Sequence, residues 1–208
     1  MASVLVHVNN VLAQIGEQPL TSTVGNLGNL VKRELQSALY SVVSQTRHTA
    51  FLSTTDFTVS AVSALTPSFA LPTRTIQIKT LFYKDTSTPT LPRVVPILPR
   101  DLSVVSQPGS LGYAVVGSNV HVGQGFARPF TATLYAYTAP ALPPLDTDLL
   151  TLPDEILFAL ESVAAAAVAS SYIDDLAQQR SLQTRAEQEV LQLRARAGSM
   201  RAPISWTS

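Results

Sequence analysis

Histidines and paired carboxylates are the side chains in this sequence that could move a proton or hold a metal, so their spacing is the first question. His7, His48 and His121 lie far apart in the 208-residue chain. They fall on a helix, at a helix end and in a hairpin. A metal site needs three or four ligands at helical or strand spacing, and these three make no such set. They are expected as surface or half-buried histidines. The acidic pairs Asp146/Asp148, Asp154/Glu155 and Asp174/Asp175 all sit at linkers or helix ends. Helix starts favour acids because aligned peptide dipoles leave partial positive charge there. That reading takes precedence over general acid–base catalysis. No G-x-S-x-G elbow accompanies the many serines and threonines. Gly123-Gln124-Gly125 has no helix after it, and the 25–28 segment lacks the Lys-Ser/Thr of a phosphate loop, so both read as turns. No catalytic residue, cofactor or metal is expected, and the chain is not expected to be an enzyme.

Arginine is the next candidate. Arg180, Arg185, Arg194, Arg196 and Arg201 make the C-terminal region the most Arg-rich, and nothing acidic follows Glu189. Such a run is either a solvated helix face or a contact for an acidic protein surface or for phosphates. Aromatic interleaving is absent there, so sequence-specific nucleic-acid recognition is not expected. The last ten residues, 199–208, read SMRAPISWTS and contain the only Trp, Trp206. An extended tail with Pro203, Ile204 and Trp206 is expected to dock on a neighbouring surface, with Trp206 as the anchor.

Composition limits the classes that remain. Lys plus Arg equals Asp plus Glu at 14 each, charged residues make up 13% and apolar ones 46%. No global charge draws the chain to nucleic acid or to an anionic membrane. A chain of this length buries roughly 70% of its unfolded surface. There is no Cys, so disulfides and thiolate metal sites are excluded. The first residues have no basic n-region or small-residue cleavage site, and are not read as a signal peptide. The most apolar run, 163–173, has 11 residues, short of the ~20 that cross a bilayer. A soluble protein made inside the cell is the expectation.

The elements that must carry these residues follow from periodicity. Val4/Leu5, Val8, Val11/Leu12 and Ile15 form one helical stripe, with Ser3 as a cap, Gly16 at the left-handed C′ position and Pro19 beyond it. Leu27, Leu30/Val31, Leu35, Ala38/Leu39 and Val42/Val43 predict a second helix over about 24–45. From residue 50 the period changes to two, and prolines accumulate at Pro89, Pro92, Pro96 and Pro99. They place LPRVVPILP on an edge or outside the ladder. LGYAVVGSNVHVG reads as a hairpin around Gly117-Ser118-Asn119, and FTATLYAY as a last strand. These segments argue for a β-sandwich or barrel of about five to seven strands.

Pro153-Asp154-Glu155 then opens a helix with the stripe Ile156/Leu157, Leu160, Val163/Ala164, Ala167/Val168 and Ser171/Tyr172. Phase is lost over 174–181, where a turn or kink is expected. Leu182, Ala186, Val190, Leu193 and Ala197 define a last helix ending at Gly198. The fold class is α+β. Residues 1–49 and 150–198 form a discontinuous antiparallel helical bundle, 50–142 a β-rich insert, 143–152 a Pro-rich linker and 199–208 the tail.

The N-terminal pattern V-N-x-x-L-x-x-I-G-E-x-P is carried by Val8, Asn9, Leu12, Ile15, Gly16, Glu17 and Pro19. Further on come Leu98-Pro99-Arg100-Asp101, then Tyr113, Gly117 and Val120, then Tyr135 and Tyr137. Leu152-Pro153-Asp154-Glu155 leads into the Ala-rich helix, and QTRAEQEVLQLRARA closes it. In this order the chain resembles the tail tubular protein A family, the head-to-tail adaptor (connector) proteins of short-tailed phages. Members often carry an aromatic, commonly a Trp, at the end of the second helix; that place here reads SQTRHTAFL, with Phe51 nearest.

The resemblance implies a structural virion protein of the phage neck, made in the bacterial cytoplasm, with no membrane partner. It implies a homo-oligomeric ring, usually dodecameric, between the portal and the tail nozzle or next tail ring. DNA passes through the lumen, where contact would be non-specific. Asn9, Gly16, Glu17 and Pro19 then form a structural corner, in which Glu17 accepts hydrogen bonds from exposed amides and Pro19 fixes the exit direction. Arg194, Arg196, Arg201, Ile204 and Trp206 become the expected contacts with portal or neighbour. The alternative is a carbohydrate-binding or host-recognition module on the β insert, with Tyr83, Tyr113, Tyr135 and Tyr137 as aromatic platforms.

Overall fold

A computed structural model describes residues 2–59, 67–85, 93–126 and 130–199. Helices and strands are segregated along the chain, the arrangement of an α+β protein. The chain divides into two compact units: Met1–Phe51 with Ala139–Ser208, and Leu52–Thr138.

The first unit holds strand β1 (Ala2–Ser3), helices α1 (Val4–Gln14) and α2 (Asn26–Thr46), a 3-10 turn at Thr49–Phe51, strand β9 (Leu149–Leu150), and helices α4 (Asp154–Tyr172) and α5 (Leu176–Ser199). Each of these helices carries an apolar stripe. Val4, Val8, Val11 and Leu12 of α1 are fully buried, as are Val31, Leu35, Leu39, Val42 and Val43 of α2. Each such side chain contributes about 1.5–3 kcal/mol relative to exposure. Helix α4 packs against α1, α2 and α5. By length and composition α4 could cross a bilayer, which the 11-residue apolar run does not suggest, but 56% of its apolar window is buried within the protein. It is the central helix of its unit.

Several local details differ from the sequence reading. Ser3 stands at the N-cap of α1 but makes no side-chain cap. The amides of Val4 and Leu5 instead donate to the carbonyls of Asp148 (2.9 Å) and Asp146 (3.1 Å), and β1 pairs antiparallel with β9. The stretch 143–152 is therefore built into the helical unit, where sequence alone suggests a linker. Helix α5 begins at Leu176, well before Leu182. Asp175 Oδ1 accepts the amides of Ala177 (2.8 Å) and Gln178 (3.3 Å), an N-cap that explains the lost phase. Leu182, Ala186, Val190, Leu193 and Ala197 are the buried stripe of α5.

The second unit contains β2 (Leu52–Val59), β3 (Ser68–Ala70), β4 (Thr75–Asp85), β5 (Arg93–Pro99), the short helix α3 (Leu102–Val105), β6 (Gly112–Val116), β7 (Asn119–Val122) and β8 (Phe130–Thr138). They form one sheet in the order β2-β8-β4-β5-β6-β7-β3. Its two edge strands approach each other, for Phe57 of β2 and Phe69 of β3 stack with ring centroids 3.8 Å apart. The sheet is thus nearly closed on itself, closer to a barrel than to two facing sheets. Inside are Leu81, Ile97, Val120, Val122, Leu134 and a trio of Tyr83, Phe126 and Phe130 with centroids 5.0–5.7 Å apart.

Strand β5 departs from the sequence reading. Despite Pro96 and Pro99 it lies inside the strand order. The proline constraint is met by using its two edges in different halves: 93–97 pair with β4, and Leu98 and Pro99 pair with β6. Along most of its length it is still paired on one side, as prolines require. Leu91 and Pro92, the start of LPRVVPILP, lie outside the described residues.

Candidate functional site

The N-terminal motif folds into a corner at the end of α1. Gly16 has φ +82°, the left-handed region that costs an L side chain about 1–2 kcal/mol. Its amide donates to Ala13 O (3.2 Å), and the Glu17 amide donates to Leu12 O (2.9 Å). Together these are the paired bonds of a Schellman cap. Glu17 thus contributes its backbone amide, where the sequence reading assigns its carboxylate. Beyond Pro19 the chain turns back, and Asn9 holds it: Asn9 Nδ2 donates to Leu20 O (3.0 Å), while the Leu20 amide donates to Asn9 Oδ1 (2.8 Å). Gln178 of α5 reaches the same corner through Ile15 O (3.3 Å). Asn9 and Gly16 therefore act on backbone geometry.

The histidines are not at the surface. His7 and His48 are 3% and 4% exposed, which corrects the expectation of surface or half-buried positions; His121, in β7, is half-buried. Periodicity puts His7 on the buried stripe of α1, but the partner that makes this tolerable comes from α4. His7 Nδ1 donates to Glu161 Oε1 (2.7 Å), and Asn10 Nδ2 donates to the same oxygen (2.8 Å). The His48 Nδ1 atom accepts the Ala50 amide (3.2 Å), so Nε2 carries the proton. That Nε2 lies 3.4 Å from Glu155 Oε1, and Arg196 Nη1 donates to Glu155 Oε2 (3.2 Å).

A third polar joint centres on Asp146. It accepts the Thr23 hydroxyl, the Thr23 amide (2.8 Å), Lys32 Nζ (3.4 Å) and the Ser22 hydroxyl (3.2 Å). Those bonds, from Thr23 first, lower its carboxyl from 3.8 to about 2. An added Cβ on Gly28 would stand 2.4 Å from Thr23 O, so only glycine allows the start of α2 this close to Thr23. Each acidic pair thus supplies a carboxylate that holds the structure together, and Asp148 Oδ2 also accepts the Leu145 amide (3.0 Å). Asp146 is this hub, Glu155 stands between His48 and Arg196, and Asp175 caps a helix.

Arg194 and Arg196, both on α5, diverge. Arg196 meets Glu155 within the chain, while Arg194 lines a groove of about 400 Å³ with Arg47 and residues 44–46. Arg201, Ile204 and Trp206 lie outside the described residues. Large apolar side chains stand exposed along this part of the helical unit: Phe158 and Tyr172 on α4, Leu176 and Leu191 on α5.

In the β unit, three of the four tyrosines proposed as platforms are core residues. Tyr83 and Tyr113 are 8% exposed and Tyr137 is 3%. Burial pushes the Tyr113 phenol up. Tyr135 is half-buried and meets Phe82 edge-on, with centroids 5.7 Å apart. Among the described residues, the exposed large apolar side chains of this unit are aliphatic and cluster in sequence around α3, at Val94, Val95, Leu98, Leu102, Val104, Leu111, Val115 and Val116.

The sheet is also locally open. Strand β4 pairs with β8 from Thr75 to Lys84, with two register shifts, but with β5 only from Leu81 onward. After Pro99 the chain leaves the sheet for α3, whereas β6 continues to Val116. Among the described residues, 75–80 of β4 and 114–116 of β6 each have one edge without a strand partner. Between them lies a groove of about 480 Å³, lined by Leu71, Ile76, Ile78, Arg100, Tyr113 and Val115.

Sequence reasoning missed Glu161, Asn10 and the role of Asp146. Glu161 carried a usable signal, being the lone charge inside the apolar run from Ile156 to Val168. Asp146 carried none, because its donors lie 114 to 124 positions away. In comparison with known proteins, the chain matches no family model and no curated sequence.

Proposed function

We propose that the chain is a structural head-to-tail adaptor of a phage neck, a homo-oligomeric ring between the portal and the next tail component, with DNA passing through its lumen. In this reading the N- and C-terminal helices form an antiparallel bundle that supplies contacts between neighbours, and the β unit meets an adjacent component. Its mechanism is symmetric association.

The observation that carries the reading is the outer side of the helical unit. Helix α5 buries one stripe and leaves Leu176 and Leu191 exposed, and α4 leaves Phe158 and Tyr172 exposed. Exposed large apolar side chains are what a recurrent protein contact uses, and on α5 they stand among Arg180, Arg185, Glu187, Glu189 and Arg194. The corner at Asn9, Gly16 and Pro19, where the family resemblance lies, supports it by fixing how the chain leaves α1. Of the platforms expected for a glycan-binding role, Tyr83, Tyr113 and Tyr137 are buried and Tyr135 is half-buried.

The test is to mix purified protein with its portal and follow the complex by light scattering and electron microscopy. A ring seated on the portal is the expected result. A protein that stays monomeric with the portal present overturns the proposal.

A further inference from the structure

Helix α5 carries opposite charges on its two flanks. At 3.6 residues per turn, Glu189, Gln192 and Arg196 lie on one side of the buried stripe, and Arg194 and Gly198 on the other. Glu155 and Phe158 of α4 complete a groove of about 330 Å³ around the first set. The end of α2, Ser44 to Arg47, completes the groove of about 400 Å³ around the second. In the first groove Arg196 is bound to Glu155 (3.2 Å). That leaves the half-buried Glu189 and the ring of Phe158, which is 61% exposed. In the second groove both arginines, Arg47 and Arg194, are exposed. Among the described residues, none of Glu189, Arg47 and Arg194 makes an ion pair.

We propose that Arg194 of one copy of the chain enters the α4–α5 groove of the next, pairing with Glu189 over the face of Phe158. This rests on the self-assembly proposed above and names its contact. The groove offers what a guanidinium uses, a carboxylate and an open aromatic face. A half-buried carboxylate without a cation is costly, and the same helix presents a cation without a carboxylate on its far side. A nucleic acid suits the two arginines but is repelled by Glu155 and Glu189, whereas a second copy serves both grooves at once. Leu191, one turn before Arg194, is exposed on the donating flank. Each flank thus sets one exposed apolar side chain beside its charge. Because the grooves lie on opposite flanks of one helix, the contact is heterologous. Each copy gives one Arg194 and receives one, which repeats around a ring.

Charge exchange tests this with purified protein and portal, read by sedimentation. Glu189→Arg sets two cations face to face at every contact, and Arg194→Glu two carboxylates. Each variant alone is expected to assemble at least about tenfold more weakly than the native chain. Mixed in equal amounts, the two are expected to restore assembly. In an alternating ring every contact then holds one native or one reversed pair, which no effect within a single chain produces. Variants that assemble undiminished overturn the proposal. Two defective variants whose mixture stays defective assign the charges to the portal; that overturns the contact between copies and leaves the adaptor reading standing. Glu189→Gln and Arg194→Gln guard against misfolding, since both should unfold in urea as the native chain does. Combined in one chain they should weaken assembly no more than either alone, and additive losses overturn the pairing. Native protein that stays monomeric with the portal present overturns this contact and the adaptor reading together.

Discussion

His7 and Glu161, 154 positions apart, meet at 2.7 Å between Nδ1 and Oε1 inside the helical unit. The contact joins α1 to α4, the two helices that begin the N-terminal and C-terminal parts of that unit. Asn10 donates to the same oxygen, so one carboxylate collects two donors from α1.

Removing that carboxylate leaves two donors without an acceptor, one of them buried. Glu161→Ala is expected to lower stability by about 3 kcal/mol, the scale for breaking a buried ionic or hydrogen-bonded pair. His7→Ala should cost less when added to Glu161→Ala than when made alone. Urea denaturation of the four proteins in the cycle measures this coupling. Additive losses would mean that the pair does not hold α1 to α4.

The corner should respond to backbone changes. Gly16→Ala places a Cβ in the left-handed region and is expected to cost about 1–2 kcal/mol, although open space surrounds the position. Asn9→Ala loses both bonds to Leu20, for about 1–3 kcal/mol. Glu17→Ala should have little effect on stability, because the corner uses the Glu17 amide. Thermal melts of the three variants would rank them, and a Glu17 variant as damaging as Gly16→Ala contradicts the geometry described.

Asp146 sets an acid-side dependence. Its carboxyl is held at about 2, below the usual 3.8, so over that interval the unfolded chain binds the proton and the native chain does not. Stability therefore rises with pH through this window. The contribution is complete above about pH 4 and is lost as pH falls toward 2. Asp146→Asn should melt at a lower temperature than the native chain at pH 7, and the two should converge near pH 2. Parallel melting curves across pH 2–5 would reject the assignment.

Association should depend on the outward apolar residues more than folding does. Phe158→Ser and Leu191→Ser are expected to change monomer stability by no more than about 0.5 kcal/mol, as exposed positions do. If these residues lie at a ring contact, each should weaken assembly by at least about 1 kcal/mol. Sedimentation of the portal mixture separates the two effects. Undiminished assembly in both variants would place the ring contact elsewhere.

The order of elements and most buried stripes are legible in the amino-acid order alone. Valine and leucine at helical spacing, the tandem Gly16 and Pro19, and the alternation in FTATLYAY are local, and each is visible within a few turns or one strand. The break from helix to strand near residue 50 and the return near 153 are legible for the same reason. Whatever depends on partners remote in the chain was settled by packing. Packing gave the amides of α1 to Asp146 and Asp148 over Ser3, buried His7 against Glu161, and turned three tyrosines inward. It also placed β5 inside the sheet and withdrew it at Pro99. Periodicity specifies which face of an element is buried; what meets that face, and which buried polar group finds an acceptor, is fixed only when distant segments pack.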